Sequence, residues 1–347
     1  MSKKIKVLVV DDSALVRNIL QSGLGMDPEI EVVATAADPY QARDRILELE
    51  PDVLTLDVEM PRMDGVAFLR KLMPQYPIPV VMVSALTEKG KRITMEALEA
   101  GALDFVTKPA TGISRGLNTM MGELIEKVKI ASVADVSHWQ DKVIEPPKSR
   151  PVTKVLSGST DKVIVIGAST GGTEAIRTMI KMLPASAPGV AIVQHMPPGF
   201  IGAFAESLDK QSAMNVKEAE NGDRVMTGRV LIAPGGKQMK ILRSGGIYQV
   251  KIFDGEKVNG HCPSVSVLMN SAAEYVGDNA IGVMLTGMGS DGADGLLSMR
   301  KAGARTFGQD EKSCVVYGMP KVAFEKGGVE KQVHIENMVP GILKVLD

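Results

Sequence analysis

Asp11 and Asp12 close the apolar run Val7-Leu8-Val9-Val10, Asp57 closes Val53-Leu54-Thr55-Leu56, Ser84 closes Val80-Val81-Met82-Val83, and Lys108 follows Phe105-Val106-Thr107. If these runs are neighbouring strands of one parallel sheet, their end residues meet at its carboxyl edge, where open α/β sheets place their sites. Clustered carboxylates repel by several kcal/mol at intermediate dielectric unless a divalent cation joins them or a pKa rises. An all-oxygen set favours Mg2+. An aspartate beside that cation and the Lys108 ammonium suits in-line phosphoryl transfer, because both positive charges offset charge developing on the phosphoryl oxygens. The Ser84 hydroxyl could bond one of those oxygens. Singly, an Asp after a strand is a turn former or a helix N-cap; the joint spacing points to chemistry.

A second constellation lies further on. Gly167-Ala168-Ser169-Thr170-Gly171-Gly172 follows a buried strand and opens a helix, so its backbone N–H groups and the helix dipole could hold negative charge. A dinucleotide fingerprint would need G-x-G-x-x-G and an acidic residue about 20 positions on, at the end of the next strand. Ser169 occupies the second glycine position, and the next strand, Ala191-Ile192-Val193-Gln194, ends on His195. As a serine-nucleophile turn the loop matches G-x-S-x-G, with His195 as a base candidate at the adjacent strand end.

A third group should orient the imidazole and stabilise its cationic form. The strand Ile281–Leu285 delivers Thr286-Gly287-Met288-Gly289-Ser290-Asp291-Gly292 to the same edge. Asp291 and Asp294 are both candidates; Asp291 is preferred because it lies in the glycine loop, whereas Asp294 is predicted one turn into the helix. The order Ser, His, Asp differs from that of α/β-hydrolases, so G-x-S-x-G does not imply that fold. His261-Cys262 raises a Cys/His alternative, but adjacent residues rarely face each other productively; His261 is read as lining the site and Cys262 as packing.

Over residues 1 to about 125, with Met60-Pro61 and Asp64-Gly65 after Asp57, the chain resembles the receiver domain of two-component response regulators. That resemblance implies that Asp57 accepts the phosphoryl group, that Asp12 binds Mg2+ with Asp57 and the backbone carbonyl of Glu59, that Asp11 supports the metal, and that Lys108 and Ser84 are switch residues. The loops around Ser169, His195 and Asp291 resemble the chemotaxis protein-glutamate methylesterase family, so the two resemblances together cover nearly the whole chain. They imply nucleophile Ser169, general base His195 and orienting Asp291, acting on glutamate methyl esters of methyl-accepting chemoreceptors and often deamidating receptor glutamines. Backbone N–H groups at Met288 and near Thr170 would form the oxyanion hole, no cofactor would serve the esterase chemistry, and a chemotaxis histidine kinase would be the phosphodonor. In an unphosphorylated state the receiver, packed over the Ser169 edge, would exclude a receptor helix. Phosphorylation at Asp57 would add about −1.5 to −2 charges and repack Ser84 and Phe105.

Composition is consistent with these expectations. At 347 residues two domains are expected. Aromatics make up only 4%, so the 21 methionines read as core filling. A net charge of −1, intermixed along both halves, provides no electrostatic footprint for nucleic acid. Cys262 and Cys314 form no disulfide or metal framework, which fits a reducing cytoplasm. Lys6 and Asp11-Asp12 interrupt the N-terminal apolar stretch too soon for a signal peptide. No run approaches the ~20 apolar residues that span a bilayer, so a soluble protein without membrane insertion is expected.

The predicted fold is α/β with two doubly wound domains. Strands at 5–10, 30–35, 52–56, 79–84 and 103–106 alternate with helices, giving a five-stranded parallel, flavodoxin-like receiver over 1–131. Residues 132–160, rich in Pro, Ser and Gly, read as a linker, in which Trp139 is expected to dock onto a domain groove. A mostly parallel α/β esterase domain over 161–347 carries a β-hairpin from runs 238–242 and 247–253. The alternative is a response regulator with a nucleotide- or protein-binding output domain. The missing acidic residue speaks against a nucleotide, and a DNA-binding output would be shorter, helical and basic.

Overall fold

Apolar runs too short and too continuous to be surface strands alternate with amphipathic helices along the chain, which dictates parallel sheets covered on both faces. The computed structural model describes residues 3–85, 87–109, 113–140 and 161–346. The chain divides into two compact units, Met1–Glu145 and Pro146–Asp347.

The first unit runs β1 (Ile5–Val10), α1 (Ala14–Leu24), β2 (Ile30–Ala36), α2 (Pro39–Leu49), β3 (Val53–Asp57), α3 (Gly65–Gln75), β4 (Val80–Ala85), α4 (Glu88–Glu99), β5 (Asp104–Lys108) and α5 (Ile113–Ala131). Its sheet has the order β2-β1-β3-β4-β5 with every pair parallel. The order reverses between β1 and β3, so the loops after these strands diverge and leave a crevice, into which Asp11, Asp12 and Asp57 are delivered. Ser13 caps α1 by accepting the Val16 N–H, and Asp64 caps α3 by accepting the Ala67 N–H.

The second unit runs β6 (Val163–Ala168), α6 (Gly172–Met182), β7 (Gly189–Gln194), α7 (Ile201–Asp209), β8 (Asn215–Glu218), β9 (Arg229–Ile232), β10 (Gln238–Ser244), β11 (Ile247–Phe253), α8 (Val265–Tyr275), β12 (Ala280–Met284), α9 (Ala293–Lys301), β13 (Arg305–Gln309), α10 (Met319–Glu325), β14 (Lys331–Val333) and α11 (Ile335–Leu343). Seven strands form one sheet in the order β14-β13-β12-β6-β7-β9-β8, all parallel. Strands β10 and β11 form the predicted hairpin as a separate two-stranded sheet. Its tip, Gly245-Gly246, takes the positive φ at both positions that a two-residue turn demands. The hairpin is held on α8 by Met239, Ile241, Tyr248 and Val250, which join Leu268, Met269 and Ala272 in one buried cluster, and by a 2.9 Å bond from the Ile241 N–H to Ser271 Oγ.

Strands β8 and β14 are not among the elements expected from the residue pattern. Both are short edge strands, Asn-Val-Lys-Glu and Lys-Gln-Val, with little buried apolar surface. Their pairing is set by the neighbouring strand, and polar edges of this kind blunt strand addition.

Residues 132–140 of the predicted linker are described, and 141–160 lie outside the described residues. Ser137–Trp139 form one 3₁₀ turn that buries Trp139 to 5% exposure. The indole packs on Gly101, where a Cβ would stand 3.2 Å from two ring atoms. Trp139 thus docks onto the first unit itself, eight residues beyond the end of α5. Trp139→Ala should destabilise this unit by about 3 kcal/mol, measured as a lower urea midpoint by far-UV circular dichroism. An unchanged midpoint would show the packing to be incidental.

Candidate active site

The order of the second sheet reverses at β6, whose neighbours β7 and β12 continue the chain in opposite directions. Ala168 is registered with Gln194, and Gly167 with Met284. Ser169, His195 and the loop from Leu285 therefore leave the sheet at one level, at the crevice between diverging loops.

Ser169 is fixed by its backbone. Its N–H donates to Thr286 O at 3.0 Å, and its carbonyl accepts from the Gly172 N–H at 2.7 Å and Gln194 Nε2 at 2.9 Å. Gln194 Nε2 also donates to His195 O at 3.1 Å, tying nucleophile and base candidates to one buried amide. The glycines have separate tasks. Gly171 has φ 76°, and a Cβ on Gly287 would stand 2.7 Å from the Cβ of Ser169.

His195 Nε2 lies 2.9 Å from Asp291 Oδ2. Oδ2 also accepts the Val265 N–H at 2.7 Å. Oδ1 accepts from Ser264 Oγ at 2.8 Å, Asn259 Nδ2 at 3.0 Å and the Ser266 N–H at 3.2 Å. Burial alone would raise the Asp291 pKa, but bonds from His195, Asn259 and Ser264 hold it well below the carboxylate range. With a carboxylate at Nε2, the imidazole carries its proton there, leaving Nδ1 as the basic nitrogen. Nδ1 is buried and has no hydrogen-bond partner among the described residues, so the Ser169 hydroxyl is not bonded to it here. Catalytic bonds of this kind commonly close only with substrate bound.

His261 stacks on His195 with ring centroids 3.6 Å apart and planes 9° apart. Burial first, then the neighbouring His195, pushes its pKa down to about 4. Asp294 is placed elsewhere, paired with Lys326 at 2.6 Å on an exposed face. The Cys262 thiol is pushed up by burial, which opposes a thiolate nucleophile. Thr170 is buried and its carbonyl accepts Thr286 Oγ1 at 3.1 Å, whereas Met288 is 41% exposed on the loop beyond β12. Asn259, Ser264 and Ser266, which supply side-chain or backbone support here, are not among the site residues expected from sequence. Only Asn259-Gly260 carries a local signal, that of a two-residue turn.

In the first unit, carboxylate oxygens of Asp11, Asp12 and Asp57 lie within 4.8 Å of one another. Lys108 Nζ bridges Asp11 Oδ2 at 2.9 Å and Asp57 Oδ1 at 3.0 Å. Burial pushes Asp57 up to about 6, against the pull of Lys108. For Lys108, burial works downward, but the Asp57 and Asp11 charges outweigh it and hold the ammonium above its ordinary value. Lys108 thus bridges two of the three carboxylates, and the all-oxygen set of Asp11, Asp12 and Asp57 fits a small divalent cation. Glu59 follows on the same loop, its side chain paired with Lys89 at 3.1 Å. Ser84 Oγ accepts from Thr94 Oγ1 at 2.6 Å and so is engaged with α4, not with the carboxylates. Phe105 is buried, with Lys127 Nζ 5.3 Å over its ring.

Comparison with known proteins covers both units. The family model described as CheB methylesterase matches residues 164–342, and that described as response regulator receiver domain matches residues 7–114. The protein-glutamate methylesterase/protein-glutamine glutaminase of Syntrophotalea carbinolica is 64% identical over 348 residues, covering 100% of this chain and 99% of that protein. The protein of the same name from Salmonella typhimurium is 53% identical over 335 residues, covering 96% and 95%. The crystal structure of the Thermotoga maritima CheB methylesterase catalytic domain superposes with a TM-score of 0.52 at 35% identity, covering 53% of this chain and 98% of that one.

The stacked imidazoles make stability depend on pH. Above pH 6.5 His261 is neutral whether folded or not, whereas between 6.5 and about 4 the unfolded chain binds a proton that the folded protein refuses. Stability therefore falls as pH drops through that window. His261→Phe, which keeps a ring on His195, should flatten the dependence of the urea midpoint between pH 7 and 4.5; slopes identical to wild type would contradict the assignment.

Proposed function

The chain belongs to the CheB methylesterase family, with a receiver domain preceding the esterase domain, and from that premise we propose that Ser169, His195 and Asp291 hydrolyse glutamate methyl esters on protein substrates. The same site deamidates glutamine side chains, the glutaminase activity for which its relatives are also named. The observation that carries the reading is the buried His195–Asp291 bond one register step from Ser169.

Ser169 Oγ attacks the ester carbonyl carbon while its proton passes to His195 Nδ1. Asp291 stabilises the resulting imidazolium through Nε2–H and keeps the ring from rotating. Backbone N–H groups at Met288 and Thr170 receive the oxyanion. His195 then returns the proton to the leaving oxygen, methanol departs, and the acyl-enzyme is opened by a water whose proton His195 accepts. The free serine is regenerated and the product is a glutamate carboxylate. With glutamine the leaving group is ammonia. No step calls on a cofactor. His261 lines the site and holds the plane of the base.

Residues 1–131 form the receiver, 132–160 the linker and 161–347 the esterase, with the docking of Trp139 extending the receiver's packing into the linker. In the receiver Asp57 is the phosphoacceptor. Asp12, Asp57 and the Glu59 carbonyl would hold Mg2+, with Asp11 in support, and the cation would supply charge compensation for the phosphoryl oxygens. Lys108, Ser84 and Phe105 respond to the phosphoryl group. Methyl-accepting chemoreceptors are the substrate, a chemotaxis histidine kinase is the phosphodonor, and the setting is the cytoplasm. No helix among the described residues is long and apolar enough to cross a membrane.

Ser169→Ala should lower kcat by up to ~10^6, as loss of one member of a cooperative triad can. A fluorophosphonate probe should label the wild type at Ser169 and leave that variant unlabelled. Methanol release from methylated receptor at near wild-type rate would sink the assignment. Receiver control predicts that deleting residues 1–150 raises basal esterase activity. A hundredfold change in the active fraction requires only ~2.7 kcal/mol, and loss of activity on deletion would count against restraint by the receiver.

A further inference from the structure

One donor to Asp291 comes from a segment that belongs to no helix or strand of the sheet. Val258 and His261 pair antiparallel, each N–H donating to the other's carbonyl at 3.0 Å. The residues between them, Asn259 at φ 52° and Gly260 at φ 84°, both lie in the left-handed region. This is the geometry of a type I′ turn, for which Asn-Gly is the preferred pair. Two contacts leave this turn for the site. His261 places its ring on His195, and Asn259 Nδ2 donates at 3.0 Å both to Asp291 Oδ1 and to Ser266 Oγ. Ser266 Oγ also accepts the Gly292 N–H at 2.7 Å, so the amide spans the two segments that frame the carboxylate.

We propose that Asn259 is a positioning residue for the esterase reaction, orienting Asp291 so that Oδ2 holds His195 Nε2–H and leaves Nδ1 as the base. The inference rests on the triad reading above. Its physical content is rotational. Oδ2 is pinned by Val265 and His195, while the donors at Oδ1 stop the carboxylate from turning about its Cβ–Cγ bond. Asn259 is the donor at that oxygen that comes from outside the 264–266 segment. Its neutrality matters as well: an acid in its place would set a second negative charge about 3 Å from the first and raise the proton affinity of the whole cluster. Backbone preference alone could explain an asparagine in a left-handed turn, and the substitutions that separate the two explanations are Asn259→Gly, which keeps the turn and deletes the amide, and Asn259→Asp, which keeps the size and adds charge.

The test uses the full-length protein, methylated receptor as substrate, and 15N-resolved NMR of the His195 ring. Asn259→Gly should lower kcat about ten- to a hundredfold, the range for loss of a hydrogen bond to a charged group, with KM within about twofold. A second ring tautomer, protonated at Nδ1, should appear. Asn259→Asp should move the acid limb of the kcat/KM profile upward by about one pH unit. Wild-type kcat with an unshifted Nε2–H signal in Asn259→Gly would overturn the proposal. If that variant does not fold, an unmoved acid limb in Asn259→Asp overturns it. Wild-type rates in Ser169→Ala or Asp291→Asn would instead remove the triad reading, and inactive triad variants beside a fully active Asn259→Gly would remove only the role of Asn259.

Discussion

A single buried carboxylate organises the C-terminal site. Asp291 is almost fully removed from water, and an unpaired charge there would be costly enough to neutralise itself. It stays ionised because five donors converge on its two oxygens, from the loop after β11, the start of α8 and the end of β7. The same bonds that make the charge tolerable also fix the segments that donate them. Ring orientation at His195, the entry of α8 and the path of the Asn259 turn are therefore one solution to one electrostatic problem.

The receiver cluster is built on the opposite balance. Two of its three carboxylates share one ammonium, and Asp57 is shifted toward the neutral form by its burial. This arrangement is unsatisfied in a way that Asp291 is not: one ammonium is set against clustered carboxylates, and the remaining negative charge is left for a ligand to offset. Both sites occupy the reversal point of a parallel sheet, because only there do neighbouring loops diverge and leave room for a ligand. One fold logic thus serves a switch and a catalyst, and the difference lies in how completely the charge is compensated.

Much of this was legible in the residues. Continuous apolar runs ending in Asp, Ser, His or Lys located the sheet edges, because in a parallel sheet the strand interior must be apolar and the carboxyl end is where polar groups are tolerated. The Ser13 cap and the Gly245-Gly246 tip are local chemistry and need no tertiary information. The strands β8 and β14 were not legible, since their pairing depends on an edge presented by β9 and β13. The docking of Trp139 on Gly101 joins positions 38 residues apart and leaves no periodic trace.

Sequence alone determined which side chains stand at strand ends and hence which could meet, because strand register follows from the alternation of apolar runs and turns. Only the tertiary structure decided the rest: that His195 offers Nε2 to Asp291 and keeps Nδ1 open, that His261 stacks on it, and that Ser84 is turned to Thr94. These are matters of rotamer and orientation. They depend on packing and hydrogen-bond closure among segments far apart in the chain, and no local pattern of residue types encodes them.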